Sequence, residues 1–193
     1  MTLPPFIRIF FAIDLSATVK QQIGNLINML KKKSKTNAIR WSILENLHIT
    51  LQFLPEVHSE HLDRLIQNVR DQLQDKVKSV KLIFDGLELF PNPYRPRVIV
   101  LKVISQENLT QLSALIGHGI KASNYELEQR PFRAHLTLGR IKHPHDINLN
   151  FLADCRNFSV EAMDINEVIL FRSEPLPEGS RYRVLERINF IGA

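Results

Sequence analysis

Residues 45–54, ENLHITLQFL, alternate polar and apolar side chains with the period of two that is typical of a β-strand. The alternation predicts one face that carries His48, Thr50 and Gln52, so that an imidazole and a hydroxyl lie side by side. The opposite, apolar face consists of Ile49, Leu51 and Phe53. A solvent-facing strand surface has no need of this particular pair of polar groups.

The same pattern returns at residues 132–141, FRAHLTLGRI, where His135 and Thr137 share one predicted face and Leu136 and Leu138 the other. In a chain of this composition, the number of His-apolar-Thr-apolar copies expected by chance is about 0.04. Two copies in matched strands therefore require a reason, and they predict two similar halves.

The rest of the chain reads as a mixture of strands and helices that does not alternate regularly. This order predicts an α+β fold with largely antiparallel sheets rather than a doubly wound parallel sheet. No linker or low-complexity stretch divides residues 1–193, so we expect a single domain. The predicted strands are 7–14, 39–41, 45–54 closed by Pro55, 80–89, 96–103, 132–141, 167–175 and 182–190, and the predicted helices follow Ser16, follow Ser59 and span 106–122.

The amino-acid composition indicates which class of binding partner to expect. The 193 residues carry a formal net charge of +5 and a pI near 9.5, which favours an anionic partner such as nucleic acid or a phosphorylated metabolite. A single cysteine, Cys155, excludes an intrachain disulfide framework and fits the cytoplasm; we interpret it as a passive small side chain. The apolar run at residues 7–15 is too short to span a membrane and is interpreted as a buried strand.

Two His-x-Thr strands that face one groove predict a phosphodiester site. Two imidazoles can exchange protons near neutral pH, and two hydroxyls can hold phosphoryl oxygens. One histidine would take a proton from the attacking oxygen while the other gives a proton to the leaving oxygen.

Competing sites are weaker. His143 and His145 could join a zinc site, but they lie beside a proline in a loop without helical spacing or a carboxylate cluster, so no metal is expected. The Gly-His-Gly at 117–119 falls in a predicted helix and lacks the Gly-Lys-Ser/Thr ending of a phosphate loop, so neither ATP nor another cofactor is expected.

These segments resemble the 2H phosphoesterases, and among them the RNA 2′,3′-cyclic phosphodiesterases, also called 2′-5′ RNA ligases or LigT-like proteins. The resemblance extends over nearly the whole chain and is carried by RIFFAIDL at 8–15, ENLHITLQFLPEV at 45–57 and RPFRAHLTLGRI at 130–141. It implies a bilobal α+β fold in which two interleaved, pseudo-symmetric lobes surround a cationic cleft, with helices outside. We expect a cytoplasmic monomer, whose partner is an RNA or oligonucleotide with a 2′,3′-cyclic phosphate end, tRNA fragments included.

The resemblance further implies metal-free hydrolysis of the cyclic phosphate to a 2′-phosphate. Residue by residue, His48 becomes the acid that protonates the departing 3′ oxygen and His135 the base that activates water. Thr50 and Thr137 become ligands of the phosphoryl group.

Two further residues follow from the same resemblance, which implies Arg140 on the phosphate and Phe11 beneath a base. Strict alternation from His135 puts Arg140 on the opposite face, so it reaches the cleft only if Gly139 forms a bulge or the strand ends there. Arg133, which shares the predicted face of His135, is the substitute. Ala134 replaces the proline that the family often has in front of the second histidine, a difference that concerns backbone stiffness.

Two other functions stay open at this point. The chain could be a phosphodiesterase for small cyclic nucleotides, or a nucleotide- or RNA-binding module without turnover. The presence of both histidines and both threonines argues against the module. Microscopic reversibility adds 2′-5′ ligation, in which a 5′ hydroxyl replaces water.

Overall fold

The computed structural model describes residues 3–74, 76–77, 79–142, 147–155, 158–177 and 179–189. The fold is α+β with antiparallel strand pairing, as predicted. Within these ranges, no helix has the length and apolar character needed to cross a membrane.

The first sheet joins strands from both ends of the chain in the order β10-β9-β1-β3. Its members are β1 (Phe6–Asp14), β3 (His48–His58), β9 (Glu167–Leu176) and β10 (Gly179–Asn189).

The second sheet is formed by strands from the middle of the chain in the order β2-β7-β6-β5. Its members are β2 (Ile39–Trp41), β5 (Phe84–Phe90), β6 (Val98–Val103) and β7 (His135–Ile141). A separate two-stranded sheet pairs β4 (Val80–Leu82) with β8 (Met163–Ile165).

Three helices contribute apolar faces to the core: α1 (Ala17–Ser34), α2 (Leu62–Leu73) and α3 (Gln106–Ala122). Ser16 caps α1 as predicted, because its hydroxyl accepts a hydrogen bond from the Val19 N–H at 3.2 Å. The bounds of α3 match the prediction.

Each sheet also has a second face that buries apolar side chains outside this main core. These side chains share the sheet faces of the two His-x-Thr pairs, with Ala12 opposite Thr50 and Val100 opposite Thr137, and they alternate with core-facing neighbours along their strands. They are Phe10, Ala12, Val98, Val100 and Ile169.

The first histidine strand differs from its prediction in three ways. It begins at His48 instead of residue 45, because Leu44–Asn46 form a 3₁₀ turn. It continues through Pro55 to His58, since β3 is the edge of its sheet, where a missing N–H is tolerated. A bulge at Leu51 also breaks the alternation: Ala12 pairs with Thr50 whereas Phe11 pairs with Gln52.

The bulge moves side chains between faces. Gln52 turns to α3, where its amide donates to the backbone oxygen and the hydroxyl of Ser113 at 3.1 and 3.0 Å. Phe53 turns to the histidine face and is 39% exposed. The predicted faces of these two residues are therefore wrong.

Two smaller predictions are also corrected. Ser59 does not cap a helix, because a short 3₁₀ turn, Ser59–His61, precedes α2. The predicted strand at 80–89 is two strands, β4 and β5, that belong to different sheets.

Candidate functional site

His48 lies at the start of β3 with its ring fixed on both sides. The Nδ1–H donates to the backbone oxygen of Asn46 at 2.7 Å, and Nε2 lies 3.0 Å from the Thr50 hydroxyl. A carbonyl can only accept, so the proton is on Nδ1, and Nε2 is the nitrogen available for proton transfer. Asn46 is itself anchored, because its amide donates to the Ser180 backbone oxygen at 2.9 Å.

His135 repeats this arrangement at the start of β7. Its Nδ1–H donates to the backbone oxygen of Arg133, also two residues earlier, at 2.8 Å. In the described part of the chain, its Nε2 has no hydrogen-bond partner. The ring of Phe90 stacks on the imidazole at 4.6 Å and 17°. The lone pair of Nε2 therefore points in a fixed direction, and none of the described residues donates a hydrogen bond to it.

The backbone before His135 is held by a side chain. The amide of Gln106 donates to the Ala134 backbone oxygen at 2.8 Å and accepts from the Ala134 N–H at 3.0 Å. A proline at position 134 would have no N–H to offer. The two hydrogen bonds of Gln106 therefore restrain the backbone at Ala134, where the family often has a proline.

The histidine strands β3 and β7 contact each other where the two sheets meet, and we call the region shared by their histidine faces the cleft. His135 is among the charges that act on the pKa of His48, and Arg140 acts on both histidines. Loss of hydration is the largest influence on each: it lowers the pKa of His48 from 6.5 to about 4 and lowers the pKa of His135. Both rings are therefore neutral at pH 7.

Arg140 reaches this cleft through a bulge. Thr137 pairs with Val100, but Gly139 pairs with Ile99, so Leu138 is the extra residue. Arg140 then pairs with Val98, two residues from Val100, and shares the face of His135 and Thr137. The bulge lies three residues past the histidine, as it does at Leu51 in β3.

Arg133 is placed differently. Its guanidinium forms an ion pair with Glu88 and lies over the Phe90 ring at 5.4 Å from the centroid. Both partners hold it at the rim beside His135. Within the described ranges Arg140 has no ion pair, so it is the better placed of the two to hold a phosphate.

The structure does not support the implied role of Phe11. Its side chain is 0% exposed and lies in the main core with Ile9 and Ile13, so no base can reach it. The neighbouring Phe10 faces the other way and packs against His48 at 4.8 Å. Since Phe10 is only 3% exposed, it supports the imidazole rather than a base.

Sequence reasoning missed several neighbours of the histidines. Tyr182 meets the His48 ring edge-on at 5.2 Å and 90°, and Phe90 covers His135. Both lie on strands that no His-x-Thr motif marks, so no local signal identifies them. Asp14, which pairs with His48 in the sheet and raises its pKa, could have been noticed from the alternation of β1.

Metal ligands were not expected. Among the described residues, no group of three or more His, Cys, Asp or Glu side chains could hold a metal ion. His143 and His145 lie outside the described residues. Cys155 is buried, at 1% exposure.

The comparison with family models decides the classification. The model described as LigT like phosphoesterase matches residues 13–100 and 102–182. The chain belongs to the LigT-like phosphoesterase family. The resemblance of the two His-x-Thr strands to 2H phosphoesterases is thereby confirmed.

Relatives of this LigT-like phosphoesterase carry one activity in their names. The RNA 2′,3′-cyclic phosphodiesterase of Methanothermobacter thermautotrophicus is 31% identical over 182 residues, covering 93% of this chain and 97% of that protein. The protein of the same name from Archaeoglobus fulgidus is 29% identical over 178 residues, covering 92% and 97%.

Solved structures of LigT-like proteins share the fold. Escherichia coli LigT complexed with 3′-AMP is 26% identical, with a TM-score of 0.74 and coverage of 94% of this chain and 97% of that chain. A protein from Thermus thermophilus reaches a TM-score of 0.80 with 95% and 98% coverage. At 23% identity, the similarity to the Thermus thermophilus protein shows a shared fold and nothing more.

The lowered pKa values give a first prediction. His48 has a pKa of 6.5 in the unfolded chain and about 4 in the folded chain. The free energy of unfolding should therefore decrease as the pH falls from about 6.5 to about 4. Inorganic phosphate should raise the pKa of both imidazoles, since an anion favours the charged ring. Titration of the ring protons by NMR, with and without phosphate, measures this; a pKa of 6.5 or more for His48 without phosphate would contradict it.

Proposed function

We propose that this LigT-like phosphoesterase opens the 2′,3′-cyclic phosphate at the end of an RNA and leaves a 2′-phosphate, without a metal ion. The observation that carries the proposal is the pair of imidazoles in one cleft, each with Nδ1–H bonded to the carbonyl two residues earlier. The relatives named RNA 2′,3′-cyclic phosphodiesterase support the choice of substrate.

The proposed reaction moves two protons. Nε2 of His135 takes a proton from water as the water oxygen attacks phosphorus. The bond from phosphorus to the 3′ oxygen breaks, and protonated Nε2 of His48 gives its proton to that oxygen. The product has a 2′-phosphate and a free 3′ hydroxyl.

The charges around the two rings are similar. Burial is the largest influence and lowers the pKa of both rings, Arg140 lowers both further, and one carboxylate raises each of them, Asp14 for His48 and Glu88 for His135. The division of roles therefore follows the resemblance to the family. Because burial lowers the pKa of His48 to about 4, we infer that the negative charge of the substrate phosphate raises this pKa, so that the ring binds the proton it later donates.

The phosphoryl oxygens would be held by hydroxyls and one cation. Thr50 and Thr137 lie on the histidine faces of β3 and β7, and Arg140 shares the face of Thr137. These donors can stabilise the charge that develops on the phosphoryl group. A 5′ hydroxyl in place of water would give 2′-5′ ligation with the same groups.

A short RNA ending in a 2′,3′-cyclic phosphate tests the proposal. We expect opening to a 2′-phosphate in excess EDTA, because the imidazoles carry out both proton transfers. Chromatography against authentic 2′- and 3′-phosphate standards identifies the leaving oxygen. Loss of activity on chelation, or a 3′-phosphate product, would refute the metal-free mechanism or the roles proposed here.

The other functions make different predictions in the same assay. A phosphodiesterase for small cyclic nucleotides would open 2′,3′-cyclic AMP at a higher kcat/KM than the oligonucleotide. A binding module would retain the RNA but release no product.

A further inference from the structure

Arg40 and Arg140 form an unusual pair on neighbouring strands. They lie directly opposite each other in the antiparallel pair β2-β7, and both side chains are exposed. Directly opposed residues have Cα atoms about 4.5–5.5 Å apart, and like charges in such a pair are destabilising. An anion bound by both guanidiniums would relieve this repulsion.

The packing of β2 shows which way Arg40 points. Its neighbours Ile39 and Trp41 cover Gly139: their side chains lie 2.8 and 3.0 Å from the position that a Cβ on Gly139 would take. Gly139 is buried. Because alternate residues of a strand face opposite ways, Arg40 faces the cleft side together with Arg140.

Neither arginine is neutralised by a carboxylate. In the parts of the chain that the structure describes, no acidic oxygen lies within 4.0 Å of either guanidinium. Several other arginines are paired, in contrast. Arg133 pairs with Glu88, Arg172 with Glu174 and Arg187 with Glu167.

We propose that Arg40 binds the phosphodiester that joins the terminal nucleotide to the rest of the RNA, while Arg140 contacts the cyclic phosphate. The assignment rests on the proposed function and deepens it. Arg140 shares the face of His135 and Thr137 on β7 and is therefore the nearer of the two arginines to this histidine. Arg40 lies one strand farther out, on the edge strand β2, a step of about 4.7–4.9 Å.

This second anion site would define the class of substrate. A guanidinium offers a planar fork of donors that fits two phosphate oxygens. A nucleoside 2′,3′-cyclic phosphate has no second phosphate to occupy the fork, whereas every oligonucleotide does. The site therefore favours nucleotide chains over single cyclic nucleotides.

Two substrates and one substitution test the proposal. The substrates are 2′,3′-cyclic AMP and the dinucleotide ApA with a 2′,3′-cyclic phosphate end. We expect Arg40→Gln to raise KM for the dinucleotide about 10-fold, with kcat little changed, because a charged hydrogen bond is lost. KM and kcat for cyclic AMP should stay as in the wild type.

Matched variants separate this effect from net charge and from damage to the fold. Lys81→Gln removes one positive charge from β4, in the separate two-stranded sheet, and should change KM for neither substrate. Arg40→Lys should recover part of the affinity for the dinucleotide. A dinucleotide with a neutral methylphosphonate link should have the same KM with wild type and with Arg40→Gln.

The outcomes are distinct. An equal rise of KM for both substrates, or no rise for the dinucleotide, overturns the assignment of Arg40 while the proposed function stands. A wild-type protein that opens neither substrate overturns the proposed function and this assignment together.

Discussion

His135→Ala should lower the rate of cyclic-phosphate opening about 10³-fold, and His48→Ala should do so to a similar extent. Each replacement removes one of two proton transfers, and such transfers contribute about 10²–10⁴-fold. The rate is measured on a short RNA with a cyclic phosphate end, under single-turnover conditions so that product release does not mask the loss.

The pH profile distinguishes the two roles. The wild type should show a bell-shaped profile, because one imidazole must be neutral and the other protonated. His135→Ala should flatten the acidic limb, where the base becomes protonated, and His48→Ala should flatten the alkaline limb. His118→Ala, an exposed histidine on α3, is the matched control and should retain the wild-type rate. Losses below about 10-fold for both cleft histidines would contradict the mechanism.

Arg140→Gln should lower kcat about 10²–10³-fold, because a fixed donor that faces developing charge contributes about that much. Arg140 shares the face of His135 and Thr137, and within the described ranges it has no carboxylate to neutralise it. Arg140→Lys keeps the charge but loses the planar fork, so we expect an intermediate rate.

The matched control is Arg133→Gln. Arg133 also acts on the pKa of His135, but its guanidinium is paired with Glu88 over the Phe90 ring. We therefore expect a loss below about 10-fold for this variant. A larger loss for Arg133→Gln than for Arg140→Gln would exchange the two arginines in the proposed mechanism.

The local elements could be predicted because their signals are local. Helical spacing predicted the bounds of α3, and Ser16 predicted the start of α1. Alternation predicted both histidine strands. The histidines and threonines of the candidate site were found because their motif occurs twice. The neighbours that hold the rings in place, Phe10, Phe90 and Tyr182, occur in no repeated motif.

Errors arose where one residue changed the register. The bulge at Leu51 moved Gln52 and Phe53 to unexpected faces, and a bulge at Leu138 brought Arg140 to the cleft. Alternation could state the condition for Arg140, a bulge at Gly139 or the end of the strand, but could not show that the extra residue is the preceding one, Leu138. Phe11 was misplaced for a related reason: β1 is apolar on both faces, so alternation does not say which face meets the core.

The sequence by itself determined the family, the strand and helix segments and the four residues of the repeated motif, because each depends on side chains close together along the chain. The tertiary structure alone decided that both imidazoles lie in one cleft, that Arg133 is paired, and that Arg40 lies beside Arg140. These facts depend on which strands pair and in what register. A single extra residue reverses the face of every side chain after it, and pairing between distant strands fixes where that residue falls.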